Sequence, residues 1–314
     1  MRDSANPEEN YLTANRFYKF INDEKQNYPL RLLCRVMEVS ASGYYAWRKR
    51  LTKPPCLKRR KLADLVRNCY FENRRRYGTR RISQALGKTG VKIGRSKVRR
   101  LLREENLKAI QPKAFKPRTT DSKGTAAAPN LLAEINLLEC AVGKIIIGDI
   151  TYIRLRGGRF GYLAVWQDKV TRRIIGWSLA MEMTAELVIS ALQKAVGKRL
   201  VKAGAVIHSD RGSQYASTGF RRLLQQNGFR QSMSGKGHCY DNAQAESFFS
   251  RFKAELLEDG VFEDLEQARS EIFSYIEGYY NRVRLHSSLG YLSPLEFERE
   301  LQIKNGGIKR QFFV

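Results

Sequence analysis

Two kinds of hydrophobic spacing divide the chain. In the first part, apolar residues recur every three or four positions. Leu30, Leu33, Val36 and Met37 lie on one stripe, the run Val39-Ser-Ala-Ser-Gly43 interrupts it, and Tyr44, Tyr45 and Trp47 follow among Arg48, Lys49 and Arg50. This predicts two short helices around a tight turn over 29–50. Lys53-Pro-Pro55 breaks the pattern, and a helix is predicted over 58–73. A second helix pair begins after Tyr77-Gly78, with Thr79 as its N-cap and Ile82, Ala85 and Leu86 as its buried stripe. Gly87 to Gly94 forms the turn. The helix over 96–105 turns Val98, Leu101 and Leu102 inward and Arg95, Lys97, Arg99, Arg100 and Arg103 mostly outward. A helix-turn-helix with a basic second helix suits a DNA major groove and its phosphates. The blander alternative is a solvated basic face on an ordinary helical hairpin.

Residues 111–130 lose this periodicity in favour of Pro, Gly, Thr and small residues, which marks a linker. Beyond it the pattern changes to β-branched runs. Strands are predicted over 144–153, 160–167, 173–180, 205–208 and 229–233, and helices over 184–199, 218–227 and 241–257, the last with Asp241 or Asn242 near its start. Further helices are predicted over 264–283 and 294–301. Three successive strands suggest an antiparallel meander, and the later alternation suggests parallel crossovers. The fold class is therefore α/β: a mixed five-stranded sheet covered by helices and preceded by an all-helical region. The expected segments are 1–55 (helical, helix-turn-helix-like), 56–110 (basic helix-turn-helix), 111–130 (linker), 131–260 (α/β core) and 261–314 (helical extension).

Charge sharpens the division. The chain of 314 residues carries 57 Lys and Arg against 31 Asp and Glu, a net charge of +26. Residues 1–130 hold 32 basic and 11 acidic side chains, and the remainder hold 25 and 20. Such a field attracts polyanions, nucleic acid foremost. A ribosomal or histone-like protein would be basic throughout, whereas here a basic part joins a nearly balanced one. The five cysteines are scattered with no Cys-x-x-Cys, which fits a reducing compartment and excludes a disulfide scaffold or zinc finger. No apolar run is long enough to span a bilayer, and residues 1–10 do not read as a signal peptide.

Three acids stand where such a fold can gather them. Asp149 interrupts the isoleucine-rich first strand, Asp210 follows the fourth strand, and Glu246 lies in the first turns of the 241–257 helix. A carboxylate amid Ile145, Ile146, Ile147 and Ile150 costs several kcal/mol if buried without a partner. Three carboxylates together repel unless neutralised, and a hard divalent cation, Mg²⁺ or Mn²⁺, prefers oxygen ligands. Two such ions in the active complex suit phosphoryl transfer. The alternative role for each acid alone is a helix cap or a salt-bridge partner.

Sixty residues separate Asp149 from Asp210, and thirty-five separate Asp210 from Glu246. The second gap is the D-35-E spacing of the DDE signature, and Lys253 lies seven residues past Glu246. Around them stand Gly148-Asp-Ile-Thr-Tyr-Ile153, His208-Ser-Asp-Arg-Gly-Ser-Gln-Tyr215, Cys239-Tyr-Asp-Asn-Ala-Gln-Ala-Glu-Ser-Phe-Phe249 and Tyr280-Asn-Arg-Val-Arg-Leu-His-Ser-Ser-Leu-Gly-Tyr-Leu-Ser-Pro294. Together these resemble the OrfB product of the IS-three family of bacterial insertion-sequence transposases, from about Phe17 to Phe297. The resemblance implies an RNase H-like, retroviral-integrase-like catalytic core. It also implies metal-dependent cleavage at transposon ends followed by strand transfer from the freed 3′-OH. It assigns Asp149, Asp210 and Glu246 to catalysis and metal binding, and Lys253 to DNA near the scissile phosphate. Arg80, Arg81, Arg95, Lys97, Arg99 and Arg100 are the expected DNA contacts of the helix-turn-helix.

The implied partners are double-stranded DNA (terminal inverted repeats and target), further copies of the chain on that DNA, and an OrfA-type partner or fusion. No membrane is implied, and the implied location is the bacterial cytoplasm and nucleoid. Two residues depart from the family pattern: Ile146 stands where Trp is usual, and Arg282 where a small polar residue is common. Two other functions fit parts of the sequence. An RNase H-fold nuclease without strand transfer would share the acids but not need so basic an N-terminal half. A non-catalytic DNA-binding regulator would not need all three acids.

Overall fold

The computed structural model describes residues 7–52, 57–112, 128–135, 140–235, 243–257 and 260–306. Most of the expected linker, Cys239, Asp241 and Asn242 lie outside them. The chain divides into two compact units, Met1–Leu65 and Val66–Val314. Among the described residues no helix is long and apolar enough to cross a membrane.

The first unit contains α1 (Pro7–Glu24), α2 (Leu30–Val36) and α3 (Ala41–Thr52). Its small core is Ile21, Leu33, Cys34 and Tyr44, with the Tyr18 and Trp47 rings 6.4 and 5.8 Å from that of Tyr44. Gly43 lets α3 approach α1, since a Cβ there would collide with the Tyr18 hydroxyl. The hydrophobic pattern signals α2 and α3 but not α1, in which Ile21 is the one fully buried side chain of those described. One anchor gives too short a stripe to register as periodicity.

The division between units falls within α4 (Leu57–Glu72). The second unit continues with α5 (Thr79–Lys88) and α6 (Arg95–Glu104), which pack through Ile82, Leu86, Val98, Leu101 and Leu102. Thr79 is not the N-cap. Gly78 takes that position in extended conformation, and no side chain caps the helix.

Next come β1 (Ile145–Arg154), β2 (Phe160–Asp168), β3 (Ile174–Ala180), α7 (Ala185–Gly197), β4 (Val206–Ser209), α8 (Ser213–Ala216), α9 (Thr218–Gln226) and β5 (Arg230–Met233). The sheet order is β3-β2-β1-β4-β5, antiparallel for β1–β2 and β2–β3 and parallel for β1–β4 and β4–β5. This is the expected mixed five-stranded sheet, with β1 at its centre. One face packs on α7 and α9 through Ile146, Trp166, Val188, Leu192 and Phe220. The other uses Ile153, Leu163 and Val165 against Phe248, Phe249 and Phe252. Cover on both faces explains why β1 reads as a continuous apolar run. A Cβ at Gly148 would overlap the Trp166 indole, which crosses β1 to donate to the Val188 carbonyl at 3.1 Å.

The chain ends with α10 (Ala243–Phe252), α11 (Leu265–Phe273) and α12 (Pro294–Gly306). The first two run on into π-helical turns, Lys253–Leu257 and Ser274–Tyr280. The turn after α10 carries Glu255 into the interior. There its carboxylate accepts from Arg284 at 2.7 and 2.9 Å and from the Tyr275 hydroxyl at 2.9 Å, and Arg81 stands 3.6 Å away. Burial alone would raise the Glu255 pKa, but these partners hold it below the usual carboxylate range. Arg76 donates to the Glu255 carbonyl at 3.0 Å. Tyr77 donates to the Val283 carbonyl at 2.8 Å, and Lys88 pairs with Glu296 at 3.1 Å.

The Tyr280–His286 word therefore acts as a bracket. Asn281 exchanges hydrogen bonds with the Ile174 backbone on β3 at 2.9 and 3.0 Å, while Arg284 grips the extension of α10. Residues 66–110 and 261–314, expected in separate segments, meet here in one unit. The two departures from the family pattern do not disturb it: Ile146 is buried in the core, and Arg282 is exposed.

Truncating Arg284 to Ala would leave Glu255 buried with its main counter-charge gone. The expected cost is about 3–5 kcal/mol in urea unfolding. A loss below about 1 kcal/mol would show that the bracket does not hold the unit together.

Candidate functional site

β1 and β4 run parallel in the register Ile147 opposite His208. Extending that register by two residues brings Asp149 level with Asp210, which lies just past the end of β4, and neighbouring strands lie only about 4.8 Å apart. Both side chains are partly exposed at this end of the sheet. Asp149 accepts from the Ile150 N–H at 2.8 Å, and Asp210 accepts from the Gly212 N–H at 3.0 Å, which fixes the turn after β4. Glu246 lies in the first turn of α10, whose opposite face buries Ala245, Phe248, Phe249 and Phe252. That packing sets α10 against β1 and leaves Glu246 exposed. Gln244 pins the start of α10 to the Asp168 and Lys169 carbonyls, at 3.3 Å each.

Electrostatics ties the three acids together. The Asp149 carboxyl is pushed up to about 8, first by burial, then by the negative charge of Asp210, with a smaller push from Glu246. The Asp210 carboxyl is raised mainly by burial. The Asp149 carboxyl thus feels Asp210 more than Glu246, which is exposed on α10. Among the described residues no three His, Cys, Asp or Glu side chains are gathered tightly enough to ligate one ion as they stand. Beside the pair, the Tyr215 hydroxyl is buried with no hydrogen-bond partner, and burial with the charges of Asp210 and Asp149 holds its proton on. The donor set is entirely hard oxygen, the chemistry a divalent cation selects. Asp168, a fourth acid nearby in sequence, is occupied differently. It accepts from the Gly143, Val170 and Thr171 N–H groups at 2.6, 3.0 and 2.7 Å and shapes the β2–β3 turn.

Lys253 begins the π-helical turn with its ammonium 4.0 Å from the centre of the Tyr152 ring. Burial lowers its pKa, the charge of Arg154 lowers it further, and Asp149 opposes both. Lys253 thus feels the charges of both Asp149 and Arg154. Sequence reasoning missed Tyr152 and Tyr215, although both lie inside the words that carry the resemblance.

The expected DNA contacts divide into two groups. Arg95, Lys97, Arg99 and Arg100 are all exposed on α6, and Arg80 is exposed at the start of α5. The expectation for Arg81 is corrected. It donates to the Leu285 carbonyl at 2.8 Å and faces Glu255, so its guanidinium belongs to the internal bracket and not to an exposed DNA-facing surface.

The chain matches the integrase core domain family over residues 141–239 and 227–294, and an HTH-like domain over 58–115. It is 36% identical over 285 residues to the transposase InsF for insertion sequence IS3A of Escherichia coli K12, spanning 90% of this chain and 98% of that protein. This chain belongs to the IS3 family of insertion-sequence transposases. An uncharacterized 31 kDa protein of insertion element IS600 in Shigella sonnei is also 36% identical, covering 85% of this chain and 98% of that one. Among solved structures, the simian T-cell lymphotropic virus intasome in complex with a PP2A regulatory subunit is similar at 14% identity and TM-score 0.41, covering 74% of each chain. The HTLV-2 integrase catalytic core in complex with magnesium follows at 16% and 0.37, covering 50% of this chain and 97% of that one.

The IS3-family chain is thus a DNA transposase with an RNase H-like integrase core, a DDE polynucleotidyl transferase. Membership decides against the nuclease and regulator alternatives.

A carboxyl that titrates near 8 when folded and near 3.8 when unfolded binds its proton more tightly in the folded chain. Stability without divalent cation therefore falls as pH rises through that window. Thermal unfolding in EDTA should show the midpoint dropping by several degrees between about pH 5.5 and 8, and Asp149→Asn should flatten the drop. An equal drop in both proteins would separate Asp149 from this charge cluster.

Proposed function

We propose that Asp149, Asp210 and Glu246 are the carboxylates through which this transposase cuts transposon ends and joins the freed 3′ ends to a second phosphodiester. The observation that carries the reading is the parallel register of β1 and β4, which brings Asp149 level with Asp210, with Glu246 exposed on α10 where that helix packs on β1. Asp149 within β1 and Asp210 just past β4 would hold Mg²⁺ or Mn²⁺, and Glu246 would complete the set from α10. Two bound cations supply an activated attacking oxygen and neutralise charge on the leaving oxygen.

The protein's own residues do the rest. The sheet fixes the two aspartates rigidly, and the Arg284–Glu255 bracket fixes the helix that carries Glu246. The Lys253 ammonium, held over Tyr152, would bind the phosphate beside the scissile bond. In strand transfer the 3′ oxygen forms a new bond to phosphorus as the bond to the leaving 3′ oxygen breaks. The count of phosphodiesters is unchanged, so the reaction requires positioning and charge stabilisation rather than an energy source.

The exposed basic face of α6 would hold duplex DNA through its phosphates, with Arg80 alongside. Family membership carries three further parts of the proposal: a homo-oligomer on DNA, an OrfA-type partner or fusion, and a place in the bacterial cytoplasm and nucleoid.

The test is strand transfer with pre-cut duplex ends. Asp149→Asn, Asp210→Asn and Glu246→Gln keep the side-chain shape and remove the charge that holds a cation. Each should lower joining in Mg²⁺ by more than about a hundredfold while leaving DNA binding near that of the wild type. Near wild-type joining by any one of them would strike that residue from the site.

A further inference from the structure

The hairpin between β1 and β2 has a composition that the three carboxylates do not explain. Arg154, Arg156 and Arg159 lie within six residues, with Gly157 and Gly158 between them at φ 74° and 73°. Left-handed backbone at two successive positions makes a tight tip that only glycine adopts without strain. The base of the hairpin is rigid. The Arg156 N–H donates to the Phe262 carbonyl at 2.8 Å, the Phe262 N–H donates to the Arg154 carbonyl at 3.2 Å, and Arg156 pairs with Glu263 at 2.6 Å. Arg156 is thereby given over to holding the hairpin in place. Arg154 and Arg159 are exposed, and no carboxylate pairs with either among the described residues.

Two further observations link this hairpin to the active site. The Tyr152 ring carries Lys253 on its face and meets Phe160 edge-on at 5.6 Å, and Phe160 is itself 44% exposed. The positive charge of Arg154 also reaches Lys253. Tyr152 and Arg154 share one face of β1, Phe160 stands opposite Arg154 on β2, and Lys253 lies over Tyr152, so together they make a basic and aromatic surface, the combination that nucleic acid favours. From Asp149 to Arg154 the strand advances about 17 Å, at roughly 3.3 Å per residue. Along one strand of duplex DNA, at about 3.4 Å per nucleotide, that is close to five nucleotide steps.

Resting on the reading of Asp149 as the site of chemistry, we propose that the β1–β2 hairpin is a second DNA-contacting arm of the catalytic core. Arg154 and Arg159 are its phosphate ligands, and it grips the duplex backbone about five nucleotides from the scissile phosphate. It works separately from α6. The helix attaches the protein to DNA, and the arm holds the strand in line with the carboxylates.

Binding tests the arm without any chemistry. The full-length chain is titrated with a duplex of about 30 base pairs in EDTA across a salt series. The Arg154→Ala/Arg159→Ala variant should bind roughly tenfold more weakly at low salt, with a log–log salt slope smaller in magnitude by about two units. Arg154→Lys/Arg159→Lys should restore most of both, because a lysine keeps the charge. An Arg95/Lys97/Arg99/Arg100→Ala variant should lose its own share, and the two losses should combine.

Position is read by joining. A neutral methylphosphonate about five nucleotides from the reacting phosphate should slow the wild type severalfold. It should add nothing to the defect of the Arg154→Ala/Arg159→Ala protein. Unchanged affinity and slope in that protein would overturn the arm, as would a methylphosphonate effect equal in both proteins. A wild type that binds as expected but joins nothing would instead count against the active-site reading, while the affinities and salt slopes would still decide the arm.

Discussion

Two carboxylates side by side, one within β1 and one just past the end of β4, with little water around them, cannot both carry full charge unless something positive stands beside them. That constraint sets the character of the catalytic core. It accounts for a proton held by Asp149 up to about pH 8. It also makes the position of α10 critical, because the third acid and the nearest cation, Lys253, both arrive on that helix and its π-helical extension.

The fold answers with a second charge cluster of opposite design. Glu255, two residues past Lys253, is buried but surrounded by Arg284, Arg81 and Tyr275, so it stays ionised where Asp149 does not. The same network keeps His286 neutral, its pKa lowered to about 2 by burial and by Arg284, Arg81 and Arg172. One cluster is left short of positive charge at the site of chemistry, and the other is saturated at the site of attachment. Through the second, the helix that carries Glu246 is fastened to α5 and to the C-terminal bracket. An extended set of arginines is thereby recruited for architecture, which is why basic residues alone do not mark the DNA surface.

Much of this is legible in the sequence. The isoleucine run marks β1, the alternation of elements points to the mixed sheet, and the interval from Asp210 to Glu246 points to the acids. What escapes does so for physical reasons. Among the described side chains of helix α1 only Ile21 is fully buried, too little to leave a periodic trace. Arg81 looks identical in sequence to its exposed neighbour Arg80, and the difference comes from Glu255, which is 174 residues away and delivered by a π-helical turn that no local pattern announces. Tyr152 and Tyr215 sit within the family-like words, yet their roles depend on what they face across space. The Tyr280–His286 word is visible as a motif, but its function as a bracket emerges only once Asn281 meets β3 and Arg284 meets Glu255.

In this picture Asp149 holds a proton that a divalent cation must displace. Calorimetric titration of the full-length chain with Mn²⁺ at pH 7, in two buffers of different ionisation enthalpy, measures this directly. The expected result is release of close to one proton on binding by the wild type and almost none by Asp149→Asn. Mn²⁺ binding by the wild type with no proton released would contradict it.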